Sequence, residues 1–274
     1  MIKSFVKNPT VLHIPLWLDP YLMRYEKNNF LWKLCASYLE KRLFSRSDTI
    51  FSLPETFKGN PNIKLYENKH VTFEIPFIKN IEVQTRNKDI YFAGSFVQNL
   101  REPDFAFRLL LQVLPEIDEE IRFIFHINNP DNYKIIENQS NRRILINPFI
   151  SREELVQKLS QCYMLINIGN INSFQMPSKV VEYISFMKPI IYFQHDFDDP
   201  SLRYYDLYPD VCKLKEDDDI SVSKKNLLSF FSKKHEIIQY EDLMRIPLFE
   251  RSTAGYVAKQ ISKELRNKIK TDMI

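Results

Sequence analysis

The segment Gln175-Met176-Pro177-Ser178-Lys179-Val180-Val181-Glu182-Tyr183-Ile184-Ser185-Phe186-Met187-Lys188-Pro189-Ile190-Ile191 constrains this chain more than any other. It follows a buried-strand pattern, Met164-Leu165-Ile166-Asn167-Ile168-Gly169, and leads into a second, Pro189-Ile190-Ile191-Tyr192-Phe193. Between the strands Pro177 stands where a helix begins, as a first-turn proline. Val180, Val181, Ile184 and Met187 then form one apolar stripe at helical spacing. The first free N–H groups of such a helix point out of the carboxyl ends of the strands, beside Ser178 and Lys179. They attract an anion, most often a phosphate. Glu182 lies one turn on from Ser178 and shares its face, so a carboxylate reaches a hydroxyl next to that phosphate. The pattern fits a nucleoside diphosphate with its ribose. The plainer alternative is an ordinary strand–helix–strand crossover with a solvent-facing glutamate, and spacing alone does not choose between them.

Composition narrows the field. A chain of 274 residues makes one large domain or two small ones, and 44% hydrophobic residues are ample for a core. The sequence holds 4 glycines and no Gly-x-Gly. The Gly-rich loops through which P-loop and dinucleotide sites bring backbone onto phosphate are therefore excluded. A net charge of +3, with acidic and basic residues interleaved, is no footprint for nucleic acid. Cys35, Cys162 and Cys212 are odd in number and lack Cys-x-x-Cys spacing, so neither a disulfide framework nor a zinc site is indicated. A reducing, cytoplasmic setting fits. The start of the chain lacks the apolar core of a signal peptide. No apolar run approaches the roughly 18 to 20 residues of a membrane span. The basic, aromatic stretch from Tyr21 to Phe44 has the make-up of a peripheral contact with the inner face of a membrane. More often such a stretch is a helix packed on its own domain.

Along the chain, Thr10–Pro15 reads as a short strand, Asn29–Phe44 as an amphipathic helix, and Asp48–Leu53 as a second strand. Phe30, Leu31, Leu34, Tyr38 and Leu39 are the expected apolar face of that helix. Phe57–Pro76 is loop-rich and closes on a strand at Val71–Pro76, and the polar stretch Ile78–Lys88 is the expected linker. Beyond it strands at Ile90, Ile121, Arg143, Met164 and Ile190 alternate with helices. Val211–Leu214 is an expected edge strand, followed by helices at Lys224–Lys233 and Thr253–Lys270. This alternation means a doubly wound parallel sheet. Ser151 and Glu154 open one of the helices as a capping box. Asp217-Asp218-Asp219 reads as a solvated loop. The expected organisation is an N-terminal portion over residues 1–85 and a Rossmann-like domain with a closing helix over 86–274.

Ligands of such a sheet bind beyond the carboxyl ends of its strands, where strand order reverses. Three loops would meet there. Gly94 allows close backbone approach and Ser95 offers a hydroxyl; Phe149 and Ile150 could read a base; and the last loop runs from Asn170 to Glu182. Arg101 behind the first loop and Lys179 would both stabilise charge on a diphosphate leaving group. His13 ends the first strand and is either a proton-handling group or a strand-end residue bonded to backbone. His70, His126, His195 and His235 show no pairing or metal spacing.

Pro177-Ser178-Lys179, Glu182-Tyr183 and Lys188-Pro189 resemble the donor-binding segment of retaining, family 4-like GT-B glycosyltransferases, with Met187 where glycine is common in that family. The resemblance runs from about Ile90 to Phe193, the family's nucleotide-sugar domain. It implies diphosphate contacts at Ser178 and Lys179, a ribose contact at Glu182, a basic residue at Arg101, and His13 facing the sugar. The family's donor-sugar glutamate, eight positions before Glu182, falls on Phe174; Ser173 or Gln175 stand beside it as substitutes. The implied activity is metal-independent transfer of a hexose-like sugar from a nucleotide sugar to a glycan or lipid-linked acceptor, in surface polysaccharide synthesis. No cofactor is implied. Only twelve residues precede His13, so the N-terminal α/β portion reads as truncated. A homo-oligomer or a partner subunit would complete it. The alternative is a non-catalytic nucleotide-sugar-binding or scaffolding subunit.

Overall fold

The computed structural model describes residues 15–17, 30–171, 176–195, 198–236 and 238–271. They fall into two compact units. One lies within Met1–Ile75 together with Met176, and the other within Pro76–Ser173 and Pro177–Ile274.

In the smaller unit, β1 (Leu16–Trp17), β2 (Ile50–Ser52) and β3 (His70–Thr72) form a parallel sheet in that order, with α1 (Phe30–Arg46), α2 (Pro54–Gly59) and α3 (Pro61–Lys64) around it. The strand expected at Val71–Pro76 is thus shorter and begins one residue earlier. The expected loop after Phe57 carries two proline-started helical turns, because Pro54 and Pro61 preset the backbone of a first turn. The face of α1 is also not the expected one. Phe30, Leu31, Leu34, Tyr38 and Leu39 stay exposed, while Ala36, Glu40 and Phe44, spaced by one turn, are buried. Glu40 Oε2 accepts hydrogen bonds from Asn60 Nδ2 at 3.1 Å and Asn62 Nδ2 at 2.8 Å. Two amide donors make burial of a carboxylate tolerable. The expected strand at Thr10–Pro15 lies almost wholly outside the described residues.

The larger unit is a six-stranded parallel sheet. In chain order it comprises β4 (Asp89–Ala93), α4 (Asp104–Val113), β5 (Arg122–His126), α5 (Lys134–Gln139), β6 (Ile144–Asn147), α6 (Arg152–Gln161), β7 (Met164–Ile168), α7 (Ser178–Ile184), β8 (Ile190–Gln194), α8 (Leu202–Tyr205) and β9 (Val211–Lys215). Helices α9 (Ile220–Ser232), α10 (Tyr240–Met244), α11 (Pro247–Arg251) and α12 (Ala254–Thr271) complete it. The strand order is β6-β5-β4-β7-β8-β9, the doubly wound arrangement whose order reverses between β4 and β7. Every residue of β4, β7 and β8 is buried, as strands covered on both faces must be. Alternate residues Ile90 and Phe92, Phe123 and Phe125, and Ile166 and Ile168 pack with Phe105, Leu109 and Val113 of α4 and Leu227 of α9 in one core. The expected linker runs along this unit as extended chain, with Gln84 N bonded to Ser160 O and Arg86 N to Gln161 O. Lys188 Nζ reaches Thr85 Oγ1 at 2.9 Å and Cys162 O at 2.7 Å. The Lys-Pro pair of the motif therefore anchors the chain at the far end of the sheet. Met187, just before it, has φ of 51°, the left-handed conformation that glycine adopts without strain. The acidic patch Asp217-Asp218-Asp219 lies in the exposed turn after β9, as expected, and Asp219 also caps α9, accepting from Ser221 N at 2.8 Å.

Candidate functional site

At the reversal point, the loops after β4 and β7 are tied across the sheet. Arg101 Nη2 donates to Asn170 Oδ1 at 2.8 Å, Arg101 Nη1 reaches Ser95 O at 3.4 Å, and Ile171 N donates to Leu100 O at 2.7 Å. Neighbouring loops are pinned in turn. Asn128 exchanges two hydrogen bonds with the Phe96 backbone, and His126 Nδ1 donates to Pro148 O at 2.8 Å. The carbonyl can only accept, so the Nδ1 position carries the proton. The Gly94, Arg101 and Phe149 loops thus form a connected rim on the carboxyl ends of β4, β5 and β6.

Arg101 is the group with most to gain from an anion. Its partners are a carboxamide and a carbonyl, both neutral, and its buried Nε has no hydrogen-bond partner among the described residues. Burial pulls its pKa below the usual guanidinium range, opposed by Tyr183, Asp199 and other nearby groups. A desolvated cation without an acidic partner is costly unless an anion completes it. Gly94 leaves room in front of it. A Cβ there would lie 3.8 Å from Arg101 Nη1 and press on the Phe92 ring at 3.1 Å. Gly169 at the end of β7 is stricter still, because a Cβ would collide with Asp199 Oδ2 and lie 2.8 Å from Tyr192 Oη. Those two atoms form a buried Tyr192–Asp199 hydrogen bond under the loop, and burial pushes both groups up in pKa.

Helix α7 opens at Ser178, with Pro177 one position outside rather than in the first turn, and no side chain caps it. It is seven residues long, so its dipole alone is a weak anion trap and cations must supply the rest. Lys179 is at hand, with Nζ 3.2 Å from Glu182 Oε2. Glu182 is nearly buried, and its other oxygen pairs with Arg152, the first residue of α6. Tyr183 docks the helix: its phenol accepts from Ala93 N at 3.0 Å and donates to Ala93 O at 3.3 Å, one residue before Gly94. Complete burial pushes the Tyr183 phenol up and keeps it neutral.

Of the residues expected at the site, Gly94, Ser95 and Arg101 are brought together with Asn170, and Ser178, Lys179 and Glu182 share one helix face docked beside them. Phe149 is exposed and Ile150 half-buried, on the loop between the Pro148 anchor and Arg152. His13, Ser173, Phe174 and Gln175 lie outside the described residues. The sequence reading missed Arg152 and the docking role of Tyr183, and had Gly169 only as a strand end and Asn170 only as the start of the site loop. Arg152 sits inside the capping box, where only Ser151 behaves as expected, accepting from Glu154 N at 3.2 Å; Glu154 itself turns to Lys158. The histidines assigned no role are paired: His70 with Ser52, His195 with Glu216, and His235 with Asp210. Among the described residues no group of three or more His, Cys, Asp and Glu is placed to hold a metal, and no helix is long and apolar enough to cross a membrane.

The chain matches no protein-family profile and no curated protein sequence. It is similar to solved structures of glycosyltransferases, and the fold it shares with them is GT-B. One is a mutant of S. aureus TarM in complex with fondaparinux, alpha-GlcNAc-glycerol and UDP, at 11% identity and TM-score 0.57, covering 85% of this chain and 46% of that one. Another is the lipopolysaccharide outer core galactosyltransferase WaaB, at 13% identity and TM-score 0.53, covering 85% and 64%. A third is the pneumococcal O-GlcNAc transferase GtfA in complex with UDP and GlcNAc, at 13% identity and TM-score 0.51, covering 85% and 47%. The chain thus spans less than two thirds of the length of each of these structures.

Proposed function

We propose that the chain is a glycosyltransferase whose larger unit holds a nucleotide-diphosphate sugar at the reversal point of its sheet. The observation that carries this is Arg101, a desolvated cation whose hydrogen-bond partners among the described residues are neutral, at the reversal point where doubly wound sheets bind phosphates. Arg101, Lys179 and the start of α7 with Ser178 take the diphosphate, Glu182 takes the ribose, and Phe149 and Ile150 lie against the base. Ser173 or Gln175 contacts the sugar, and His13 faces it. In the transfer the bond from the anomeric carbon to the diphosphate oxygen breaks and one to an acceptor oxygen forms. The leaving oxygen keeps the electron pair, the cations stabilise that charge, and the diphosphate takes up the proton that the acceptor hydroxyl loses. The acceptor is a glycan or a lipid-linked glycan. Peripheral contact with an anionic membrane belongs to the same reading. It is supported by α1, where Phe30, Leu31, Leu34 and Tyr38 are exposed together with Lys33, Lys41 and Arg42.

Calorimetric titration with UDP, GDP, dTDP, ADP and CMP tests the donor site. One nucleotide should bind selectively, and Arg101→Ala and Glu182→Ala should each weaken it at least about tenfold, or about 1.4 kcal/mol. No binding by the folded protein would sink the proposal. Binding with no donor turnover would favour the non-catalytic alternative that Phe174 raises by standing where the family carries its sugar-binding glutamate.

A further inference from the structure

Arg101 is a buried cation with no acid in hydrogen-bond contact, and the larger unit also holds the converse. Asp199, between β8 and α8, is an acid 3% exposed. Its carboxylate accepts from the Tyr192 hydroxyl and from Ser201 N at 2.7 Å, both neutral donors, and no cation forms an ion pair with it among the described residues. The two charges meet at one turn. Asn170 Oδ1 holds the Arg101 guanidinium at 2.8 Å. Asp199 Oδ2 is packed so closely on the preceding residue, Gly169, that a Cβ there would collide with it. Of the groups whose charge favours the Arg101 guanidinium, Asp199 is the carboxylate; the others are the phenols of Tyr183, Tyr192 and Tyr205. Ser201 Oγ lies beside both members of the Tyr192–Asp199 pair and has no hydrogen bond of its own among the described residues.

We propose that Asp199 is a positioning residue, the internal counter-charge that holds Arg101 ready before a donor binds, and that it takes up a proton when the diphosphate arrives; this rests on the nucleotide-diphosphate reading above. A guanidinium buried among neutral partners is stabilised by a negative field, and a carboxylate behind the Gly169–Asn170 turn supplies one without taking the donor's place. A diphosphate on Arg101 brings negative charge of its own. The Asp199 carboxylate then faces an anion in a nearly dry position, where a like charge favours the protonated acid. The proton comes from solvent and enters on the carboxyl group. The Tyr192 hydroxyl then accepts from Asp199 and turns its own hydrogen to Ser201 Oγ. The titratable and charged groups facing Asp199 are Tyr192 of β8, His195 just after it, Tyr205 of α8 and Arg101. Burial pushes both tyrosines up and keeps them neutral, and His195 is engaged by Glu216 at 2.5 Å. Burial also pushes the Asp199 carboxyl itself up, so a modest added charge is enough to protonate it. Asp199 acts through Arg101 and touches no part of the donor.

The test is titration of wild type, Asp199→Asn, Tyr192→Phe and His195→Gln with UDP, GDP, dTDP and ADP from about pH 8.5 to about pH 5, alongside thermal unfolding. Each variant is compared with wild type on the same nucleotide, so that the titration of the nucleotide itself cancels. A proton taken up on binding makes affinity rise as pH falls. Asp199→Asn keeps the shape and loses the charge. It should bind about fivefold tighter than wild type at the alkaline end, and the gap should close as pH falls. Tyr192→Phe removes a donor to the carboxylate, favours its protonation and should move the wild-type curve toward that of Asp199→Asn. His195→Gln controls for the nearby imidazole and should keep the wild-type pH dependence. If Asp199→Asn does not fold, Tyr192→Phe carries the comparison. Weaker binding by Asp199→Asn at every pH, as loss of a merely structural contact would give, overturns the inference. So does loss of the pH dependence in His195→Gln, which would assign the proton to the imidazole. Binding with a ratio that does not change with pH overturns this inference alone, and binding of no nucleotide by wild type overturns the donor reading with it.

Discussion

Helices α1 and α4 both carry large apolar side chains and treat them in opposite ways. α4 buries Phe105, Phe107, Leu109, Leu110 and Val113 in the core of the six-stranded sheet. α1 leaves Phe30 and Leu31 at 71% exposure and Leu34 at 52%, and is held through Ala36, Glu40 and Phe44. The units follow their helices. The larger one has a continuous apolar core running through all six strands, while among the described residues of the smaller one a cluster of Phe44, Ile50 and Ile63 is buried. Even their buried acids differ. Glu40 is met by two neutral amides, whereas Asp210 of the larger unit faces His235 at 2.8 Å and Lys233 at 3.2 Å. Apolar content alone does not stabilise a helix; an opposing surface to bury it against does.

The largest effects test that contrast directly. Ile166→Ala in the centre of β7 should cost about 4 kcal/mol in chemical denaturation, since the side chain is fully buried among close-packed neighbours. Leu34→Ala on α1 should cost less than about 0.5 kcal/mol. A loss near 2 kcal/mol at Leu34 would break the comparison by showing that the α1 face is covered.

A smaller effect separates the buried acids. Burial pushes the Asp210 carboxyl up, but the hydrogen bond and charge of His235 and the charge of Lys233 outweigh it and hold it below its ordinary value. A carboxylate lowered on folding adds stability above its unfolded pKa of about 4 and loses it as pH falls through the folded value. Asp210→Asn should therefore lower Tm at pH 7, by an amount equivalent to about 2 kcal/mol. The difference from wild type should narrow below about pH 4. A difference constant from pH 7 to pH 3 would show that the pairing is not what Asp210 contributes.

Met187→Gly should go the other way and raise stability by up to about 1 kcal/mol, because φ of 51° strains a methionine and not a glycine. Equal or lower stability would mean that loss of the methionine side chain outweighs the relief. The smallest effect leaves stability untouched. Burial pushes the Cys162 and Cys212 thiols up to about 12, while Cys35 on α1 is exposed. Under native conditions Cys35 should react quickly with a thiol reagent and the other two only on unfolding. Fast reaction at Cys212 would place the opening of the β9 edge among the early motions of the larger unit.

The alternation of fully apolar strands with helical stripes determined the doubly wound fold of the larger unit, because strands buried on both faces and joined by helical crossovers have few other ways to pack. The Pro-Ser-Lys and Glu-Tyr spacing likewise put Ser178, Lys179 and Glu182 on one helix face, since helical periodicity is local. Met187 already stood out as the residue in a glycine's place, and the left-handed backbone supplies the reason. What tertiary structure alone decided is everything that depends on residues far apart meeting. Periodicity marks an apolar stripe on α1 but cannot say whether a surface exists to cover it, so the predicted face was the exposed one. Arg101 meeting Asn170, Tyr183 meeting Ala93 and Arg152 meeting Glu182 are contacts across 69, 90 and 30 positions of the chain. No local pattern encodes them; they follow from the strand order, which brings the ends of β4, β6 and β7 to one rim.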